Sequence, residues 1–218
     1  MRLKHVKNAD KIIEEGLYYI KKPKEYKGKW NTIFKNNNPI YIEIGMGKGD
    51  FIIENALTYP NINFIGIEKY DSVLVRAVQK SNALELPNLK LVRYNAENIE
   101  DLFDKEVEVI YLNFSDPWPK DRHAKRRLTS PNFLKKYTNI FKSDNHIIMK
   151  TDNTSLFDYS KDSLQEAGYT INKITNDLYH STYIDNNIQT EYEKKFIARN
   201  IKINYLDAIK GEKHDRRR

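Results

Sequence analysis

The chain has 218 residues, a formal net charge of +7 and no cysteine. This length fits one α/β domain with an appendage, because single domains typically run to about 100–200 residues. The absence of cysteine excludes disulfides, thiolate metal sites and thiol nucleophiles. No apolar stretch approaches the ~18 residues of a membrane span, and the first residues lack the apolar segment of a signal peptide. We therefore expect a soluble cytoplasmic protein, and nothing in the sequence predicts a metal site.

The charge is distributed unevenly along the chain. Residues 1–35 carry a surplus of +6 and residues 209–218 a surplus of +3, whereas residues 36–208 carry a net −2. Basic ends suggest segments that bind a polyanion, although an A+T-rich genome would also favour lysine, asparagine, isoleucine and tyrosine. We predict a basic N-terminal extension at 1–35, a central domain at 36–208 and a basic, disordered tail at 209–218.

Apolar runs and amphipathic stretches alternate along the central domain. Short runs rich in valine and isoleucine predict buried parallel strands at Ile40–Ile44, Ile62–Ile67, Leu89–Tyr94, Val107–Leu112 and Ile147–Lys150. Apolar residues at three- and four-residue spacing predict helices at Asp50–Tyr59, Ser72–Leu84, Ser130–Phe141 and Ser155–Ala167, with a short turn at Ala96–Phe103. The alternation predicts an α/β fold, with a Rossmann-like, mostly parallel sheet and helices on both faces.

The pattern changes after Gly168. Tyr169–Thr175 and Glu193–Ala198 have the composition of two further strands, joined by a polar loop. We predict that they form an antiparallel C-terminal edge of the sheet.

Polar residues follow all five predicted parallel strands. The first strand ends in Glu43 and the glycines of the loop 45–49, and the other four are followed by Glu68, Asn95, Asp116 and Asp152. A single residue of this kind is usually an ordinary loop residue or helix cap. In open α/β sheets, however, ligands bind outside the carboxyl ends of the strands. Five such residues together therefore predict one ligand site.

The glycine loop indicates which ligand this site binds. Gly45, Gly47 and Gly49 let the backbone turn sharply and approach a ligand closely. The dinucleotide fingerprint requires its third glycine at position 50, where an aspartate disfavours a pyrophosphate. Glu68 follows the glycine loop by about 20 residues, which is the usual sequence separation for an acid that binds ribose hydroxyls. The pattern favours S-adenosylmethionine, a nucleoside with a cationic sulfonium and no phosphate, over the alternative, NAD.

A proline-rich loop followed by a basic block lies at 113–127. Asp116 and Trp118 each precede a proline, so both are restricted to extended geometry and the loop is stiff. Five basic side chains against Asp121 give residues 120–127 a local charge of +4, which suits a phosphate backbone. A proline turn leading into a solvated charged face is the alternative interpretation.

Seven short motifs together resemble those of the bacterial tRNA (guanine-N7-)-methyltransferase family. They are E-I-G-M-G-K-G at 43–49, G-I-E at 66–68, N-A at 95–96, S-D-P-W-P-K at 115–120, R-H-A-K-R-R-L at 122–128, K-T-D at 150–152 and T-E-Y-E at 190–193. The resemblance runs from Trp30 to Ala198. Two departures concern the cofactor site, Met46 in place of a smaller residue and Ser115 in place of proline.

The resemblance implies a role for each motif. S-adenosylmethionine would be bound by Glu43, Gly45, Gly47, Gly49, Glu68, Asn95, Ala96 and Asp116. The target guanosine would be held by Lys120, Asp152, Thr190, Glu191, Tyr192 and Glu193. The tRNA would lie against Arg122, His123, Ala124, Lys125, Arg126 and Arg127. The implied target is the guanine of the variable loop, and we expect a monomer or homodimer with no obligatory protein partner.

The implied chemistry needs no general base, because guanine N7 is an acceptor without a proton. Carboxylates would accept hydrogen bonds from the opposite edge of the base and stabilise the positive charge that methylation creates. Asp116, Asp152 and Glu193 are the candidates, with Asp116 as the catalytic residue, and Tyr192 could stack on the base. Two other hypotheses stay open. The first is a methyltransferase of small molecules or proteins, which would not explain the basic block. The second is a non-catalytic RNA-binding protein, which would not explain the glycine loop.

Overall fold

A computed structural model describes residues 6–185 and 187–211. Seven strands form one sheet: β1 (Ile40–Ile44), β2 (Asn63–Glu68), β3 (Leu89–Arg93), β4 (Val107–Asn113), β5 (Phe141–Thr151), β6 (Thr170–Thr175) and β7 (Asn204–Lys210). Their order is β3-β2-β1-β4-β5-β7-β6. The first five are parallel, and β7 is inserted antiparallel between β5 and β6. The predicted parallel sheet with an antiparallel C-terminal edge is confirmed.

Helices cover both faces of the sheet. They are α1 (Ala9–Glu14), α2 (Trp30–Phe34), α3 (Asp50–Thr58), α4 (Asp71–Ser81), α5 (Pro131–Ile140), α6 (Thr154–Glu166) and α7 (Glu191–Ile197). Buried apolar residues of α2, α5 and α6 form one hydrophobic cluster with the sheet, and those of α1, α3 and α4 form a second cluster. Helix α7 lies outside both clusters, near the carboxyl end of β5, where its Glu193 accepts from Lys150. Among the described residues, no helix is both long enough and apolar enough to cross a membrane.

The segment before β1 packs into the fold. The Trp30 side chain is fully buried, stacks on Phe103 at 5.5 Å between ring centroids, and donates to the carbonyl oxygen of Leu102 at 2.8 Å. Tyr19 forms a parallel bridge with Leu91, which covers the free edge of β3. These contacts join residues before β1 to both hydrophobic clusters.

The strand predicted at Glu193–Ala198 is wrong, because this segment lies largely in helix α7. Thr190 and Glu193 form a capping box, in which each side chain accepts a hydrogen bond from the other residue's backbone N–H. The capping box satisfies two N–H groups that a helix start otherwise leaves unpaired. The second antiparallel strand is instead β7.

Strand β7 also corrects the predicted tail. It continues through Lys210, so residues 209 and 210 belong to the sheet and not to a disordered segment. Gly211 follows the strand and is exposed, and the rest of the predicted tail, residues 212–218, lies outside the described residues.

Candidate active site

The glycine loop leaves open space at the carboxyl end of β1. Gly45 and Gly47 have φ values of 78° and 59°, and a Cβ atom at either position would meet nothing within 4 Å. Gly49 has a packing role, because a Cβ there would lie 2.7 Å from the Cβ of Ala77 in α4. Met46 is buried and packs on Gly66, so its side chain faces the core rather than the open space.

Glu68 orients this loop. One carboxylate oxygen accepts from the Gly47 N–H at 3.1 Å, and the other accepts from the N–H groups of Lys69 and Tyr70 at 2.8 and 3.0 Å. Burial raises the pKa of Glu68, against the lowering effect of these three hydrogen bonds. The oxygen that accepts from Gly47 has a second lone pair, which can accept from a ligand hydroxyl.

Glu43 is a buried carboxyl group with an unsatisfied oxygen. Its Oε1 accepts from Asn113 Nδ2 at 2.9 Å, whereas its buried Oε2 has no partner among the described residues. Burial raises the pKa of Glu43 to about 7. An unpaired buried carboxylate is costly, and a cationic ligand would stabilise it. The open glycines, the unsatisfied Glu43 oxygen and Glu68 therefore fit a cationic nucleoside such as S-adenosylmethionine.

Asn95 and Ala96 follow β3 at the same end of the sheet. The Asn95 side chain caps a 3₁₀ turn, Ala96–Asp101, by accepting from the Glu97 N–H at 3.1 Å. The structure therefore brings the predicted cofactor residues of β1, β2 and β3 to one edge.

Asp116 is presented on a constrained loop after β4. Phe114 and Trp118 have φ values of +49° and +43°, in the left-handed region that residues other than glycine rarely adopt. The extended geometry predicted for Trp118 is therefore wrong, because the local preference before a proline is overridden by the contacts of the folded loop. The Phe114 N–H donates to the carbonyl oxygen of Lys150 at 2.8 Å, which joins this loop to β5. The Asp116 carboxylate is exposed and has no ion pair or hydrogen bond to any described residue. Asp116 is therefore available to a substrate.

The basic block forms a 3₁₀ turn, Asp121–Arg126, beside this loop. Arg122, Lys125 and Arg126 are exposed, with the Arg126 guanidinium 4.8 Å from the Trp118 ring. The other predicted RNA-binding residues, His123, Ala124 and Arg127, are half-buried. His123 contacts Trp118 edge-on at 5.7 Å between ring centroids. The five basic residues that the sequence presents as equivalent therefore have different surroundings.

Glu193 does not face the substrate space. Its fully buried carboxylate accepts from Lys150 at 2.7 Å, from Tyr179 and Asn187 at 3.0 Å each, and from the Thr190 N–H at 2.8 Å. Because these partners enclose the carboxylate, Glu193 cannot make the predicted contact with the guanine in this structure. Burial lowers the pKa of Lys150, against the raising effect of the Glu193 carboxylate. Lys150 is thus a buried charged residue near the end of β5, and it was not among the site residues predicted from the sequence.

The remaining predicted substrate residues have different surroundings. Asp152 and Lys120 are exposed and have no side-chain partner among the described residues. Tyr192 is 54% exposed, and its ring stacks on Phe114 at 5.9 Å between centroids. Glu191 accepts from Lys48 of the glycine loop at 2.8 Å, a contact that sequence analysis did not anticipate. The glycine loop and the start of α7 are thus in direct contact.

The known proteins that this chain resembles in sequence are methyltransferases. The Methyltransf_4 family of methyltransferases matches residues 37–206. The tRNA (guanine-N(7)-)-methyltransferase of Lachnoclostridium phytofermentans is 49% identical over 96% of this chain and 99% of its own length. The enzyme of the same name from Bacillus subtilis is 49% identical over 91% of this chain and 93% of its own length.

Solved structures share the fold. The 16S rRNA methyltransferase KamB superposes with a TM-score of 0.64 at 11% identity, covering 84% of this chain and 93% of KamB. The 16S rRNA (adenine(1408)-N(1))-methyltransferase from Catenulisporales acidiphilia, solved with the cosubstrate SAM, has a TM-score of 0.57 at 14% identity, covering 86% of this chain and 92% of that chain. The full-length sequence similarity, together with the site described above, shows that this chain belongs to the tRNA (guanine-N7-)-methyltransferase family.

Proposed function

We propose that this protein transfers a methyl group from S-adenosylmethionine to N7 of a guanine in tRNA. The observation that carries the proposal is a free, exposed carboxylate, Asp116, on the loop that follows β4, the strand beside β1 and its glycine loop, with the basic turn next in the chain. The cofactor supplies a methyl group on a positively charged sulfur. Glu43, Glu68 and the backbone of the glycine loop would hold it. By the family resemblance, the target is the guanine of the variable loop, and we place the reaction in the cytoplasm.

Asp116 would act on the guanine by positioning and electrostatics. Guanine N7 has a free lone pair and no proton, so its attack on a methyl group needs no general base. The Asp116 carboxylate would accept from the N1–H and N2–H₂ donors on the opposite edge of the base. This arrangement directs N7 towards the methyl group and stabilises the positive charge that develops on the ring. Asp152 is the second exposed carboxylate that can accept from these donors.

Glu193 supports the site indirectly. By pairing with Lys150 and capping α7, it fixes the position of Tyr192 at the surface. The Tyr192 ring would stack on the guanine once the base is drawn out of the tRNA, at a cost of a few kcal/mol. Arg122, Lys125 and Arg126 would bind the phosphates beside the target.

The test is to identify the methylated nucleoside. Unmodified tRNA is incubated with the protein and labelled S-adenosylmethionine, digested, and separated by chromatography. We expect 7-methylguanosine as the labelled product. The matched control is the same tRNA carrying 7-deazaguanine at the target position, which lacks N7 and should accept no label. Label in 1-methylguanosine or N2-methylguanosine would contradict the proposal.

A further inference from the structure

Arg127 differs from the other basic residues around it. The guanidinium Nε donates to the carbonyl oxygen of Pro117 at 3.2 Å, and Nη2 donates to the carbonyl oxygen of Trp118 at 3.1 Å. Its planar face lies over the Tyr159 ring of α6, with 4.3 Å between the guanidinium carbon and the ring centroid. The side chain is half-buried, and these contacts direct it to protein groups rather than to solvent.

The backbone of Arg127 is firmly anchored. Its N–H donates to the carbonyl oxygen of Ala124 at 3.0 Å, and its carbonyl oxygen accepts from the Ser130 N–H at 2.9 Å. Thr129 and Ser130 are buried. The Thr129 hydroxyl is hydrogen-bonded to the Ser160 hydroxyl, and the Thr129 carbonyl oxygen accepts from the Ser163 hydroxyl, at 2.7 Å each. The backbone from which the Arg127 side chain extends is therefore held against α6.

The loop that Arg127 contacts has an unfavourable backbone conformation. Trp118 has a φ of +43°, which is costly for a residue with a Cβ atom and persists only where surrounding contacts hold it. A planar guanidinium with several donors can bind two adjacent carbonyl oxygens, whereas a lysine ammonium lacks that geometry. Asp116 directly precedes the two residues that are held.

We propose that Arg127 is a positioning residue, which holds the loop that carries Asp116 and does not bind tRNA phosphate. The proposal rests on the proposed role of Asp116 in the reaction. It separates Arg127 from Arg122, Lys125 and Arg126, whose exposed side chains remain the phosphate contacts. The two roles predict different results for substitutions that keep or remove the positive charge.

The discriminating variant is Arg127→Lys, which keeps the charge and loses the planar fork. With cofactor and tRNA saturating, we expect the single-turnover rate to fall by about 10- to 100-fold, since a misplacement of ~1 Å can cost ~10²-fold. In Arg127→Gln, which removes the charge, the slope of log tRNA affinity against log salt should equal that of the wild type, whereas a phosphate contact would flatten it by about 1. Arg76→Lys, at an exposed arginine of α4, is the matched control and should keep the wild-type rate. By contrast, Arg122→Ala should flatten the salt slope by about 1.

Tryptophan fluorescence reports on the loop independently of activity. The chain has two tryptophans, and Trp30 is fully buried, so acrylamide quenching reports on the half-buried Trp118. We expect quenching to increase in Arg127→Lys. Tyr159→Leu, which removes the stacked ring, should increase it too, whereas Tyr159→Phe, which keeps the ring, should match the wild type.

Two results would overturn the inference. The first is wild-type quenching in Arg127→Lys, which would show that the arginine does not hold the loop. The second is increased quenching with a wild-type rate, which would show that the held loop positions nothing important for the reaction. This second result would also count against Asp116 as the catalytic residue, whereas the first would leave the role of Asp116 untouched.

Discussion

The Glu43 carboxyl group should make stability depend on pH. Its pKa in the folded protein is about 7, above the ordinary value of 4.5, so the folded state holds this proton over a range where the unfolded chain has lost it. The contribution of Glu43 to the free energy of unfolding therefore falls as pH rises from about 4.5 to 7. Glu43→Gln carries no ionisable proton there, so its stability relative to wild type should rise over that range, by up to about 3 kcal/mol.

Urea denaturation without cofactor, from pH 4 to pH 8, tests this expectation. Glu54→Gln, at an exposed carboxylate of α3, is the matched control and should show a smaller pH-dependent difference. A difference between Glu43→Gln and wild type that stays constant over the whole range would contradict the assignment.

At the residue scale, the sequence identified most groups at the candidate site but not the hydrogen-bond and ion-pair partners of each group. The strand-end rule located Glu43, Glu68, Asn95, Asp116 and Asp152, because parallel strands end at a common edge. Burial and hydrogen bonding, by contrast, depend on residues far apart in the sequence. Neither the enclosure of Glu193 nor the contacts of Arg127 leave a local pattern.

The ion pair between Lys48 and Glu191 links the cofactor loop to α7 across 143 residues of sequence. Both side chains are partly exposed, and such pairs contribute about 0.2–1 kcal/mol. We expect tRNA to raise the affinity for cofactor, because each ligand would stabilise one side of this contact. Lys48→Met should reduce that enhancement by up to about fivefold.

Calorimetric titration of S-adenosylhomocysteine with and without tRNA measures the coupling. Lys195→Met is the matched control, because Lys195 contacts the same Glu191 carboxylate without belonging to the glycine loop. Equal enhancement in wild type and Lys48→Met would show that the ion pair does not couple the two sites.

At the element scale, the main error in the sequence analysis was the strand assigned to Glu193–Ala198. The aromatic and apolar residues of this segment suggested a strand, although Thr190 and Glu193 carry the spacing of a capping box. Strand β7 was missed because Asp207 and the polar residues near it weaken the apolar pattern. Its pairing with β5 and β6 is long-range, and only the assembled sheet reveals it.

At the scale of the whole molecule, the segment before β1 contributes to the core. Trp30→Ala should lower the free energy of unfolding by about 3–5 kcal/mol, because it removes a large side chain that is fully buried against Phe103. Urea denaturation is the measurement. The matched control is Trp118→Ala, which removes the half-buried tryptophan of the Asp116 loop and should cost less. A loss below about 1 kcal/mol for Trp30→Ala would show that this segment is a separate appendage.

The overall architecture was predictable because strand and helix periods alternate with little ambiguity between residues 40 and 167. Composition was less informative about the ends. The positive charge of residues 1–35 suggested an extension, whereas the buried side chains Ile13, Ile20, Trp30 and Phe34 show that residues 13–34 contribute to the hydrophobic core. The charge of a segment can be read directly from its sequence. Whether its side chains are buried depends on the surface against which the segment packs.

The central claim is that methyl transfer proceeds by positioning, with Asp116 as an ionised hydrogen-bond acceptor and no general base. The most direct test is the single-turnover rate from pH 6 to 8, with cofactor and tRNA saturating so that ionisation of Glu43 affects binding rather than rate. We expect a flat profile for the wild type, because N7 has no proton to lose. Asp116→Asn should fall by about 10²-fold and stay flat, whereas Asp121→Asn, a control in the neighbouring turn, should keep the wild-type rate. A wild-type rate that rises tenfold per pH unit would contradict the account, because it would show that the enzyme removes a proton.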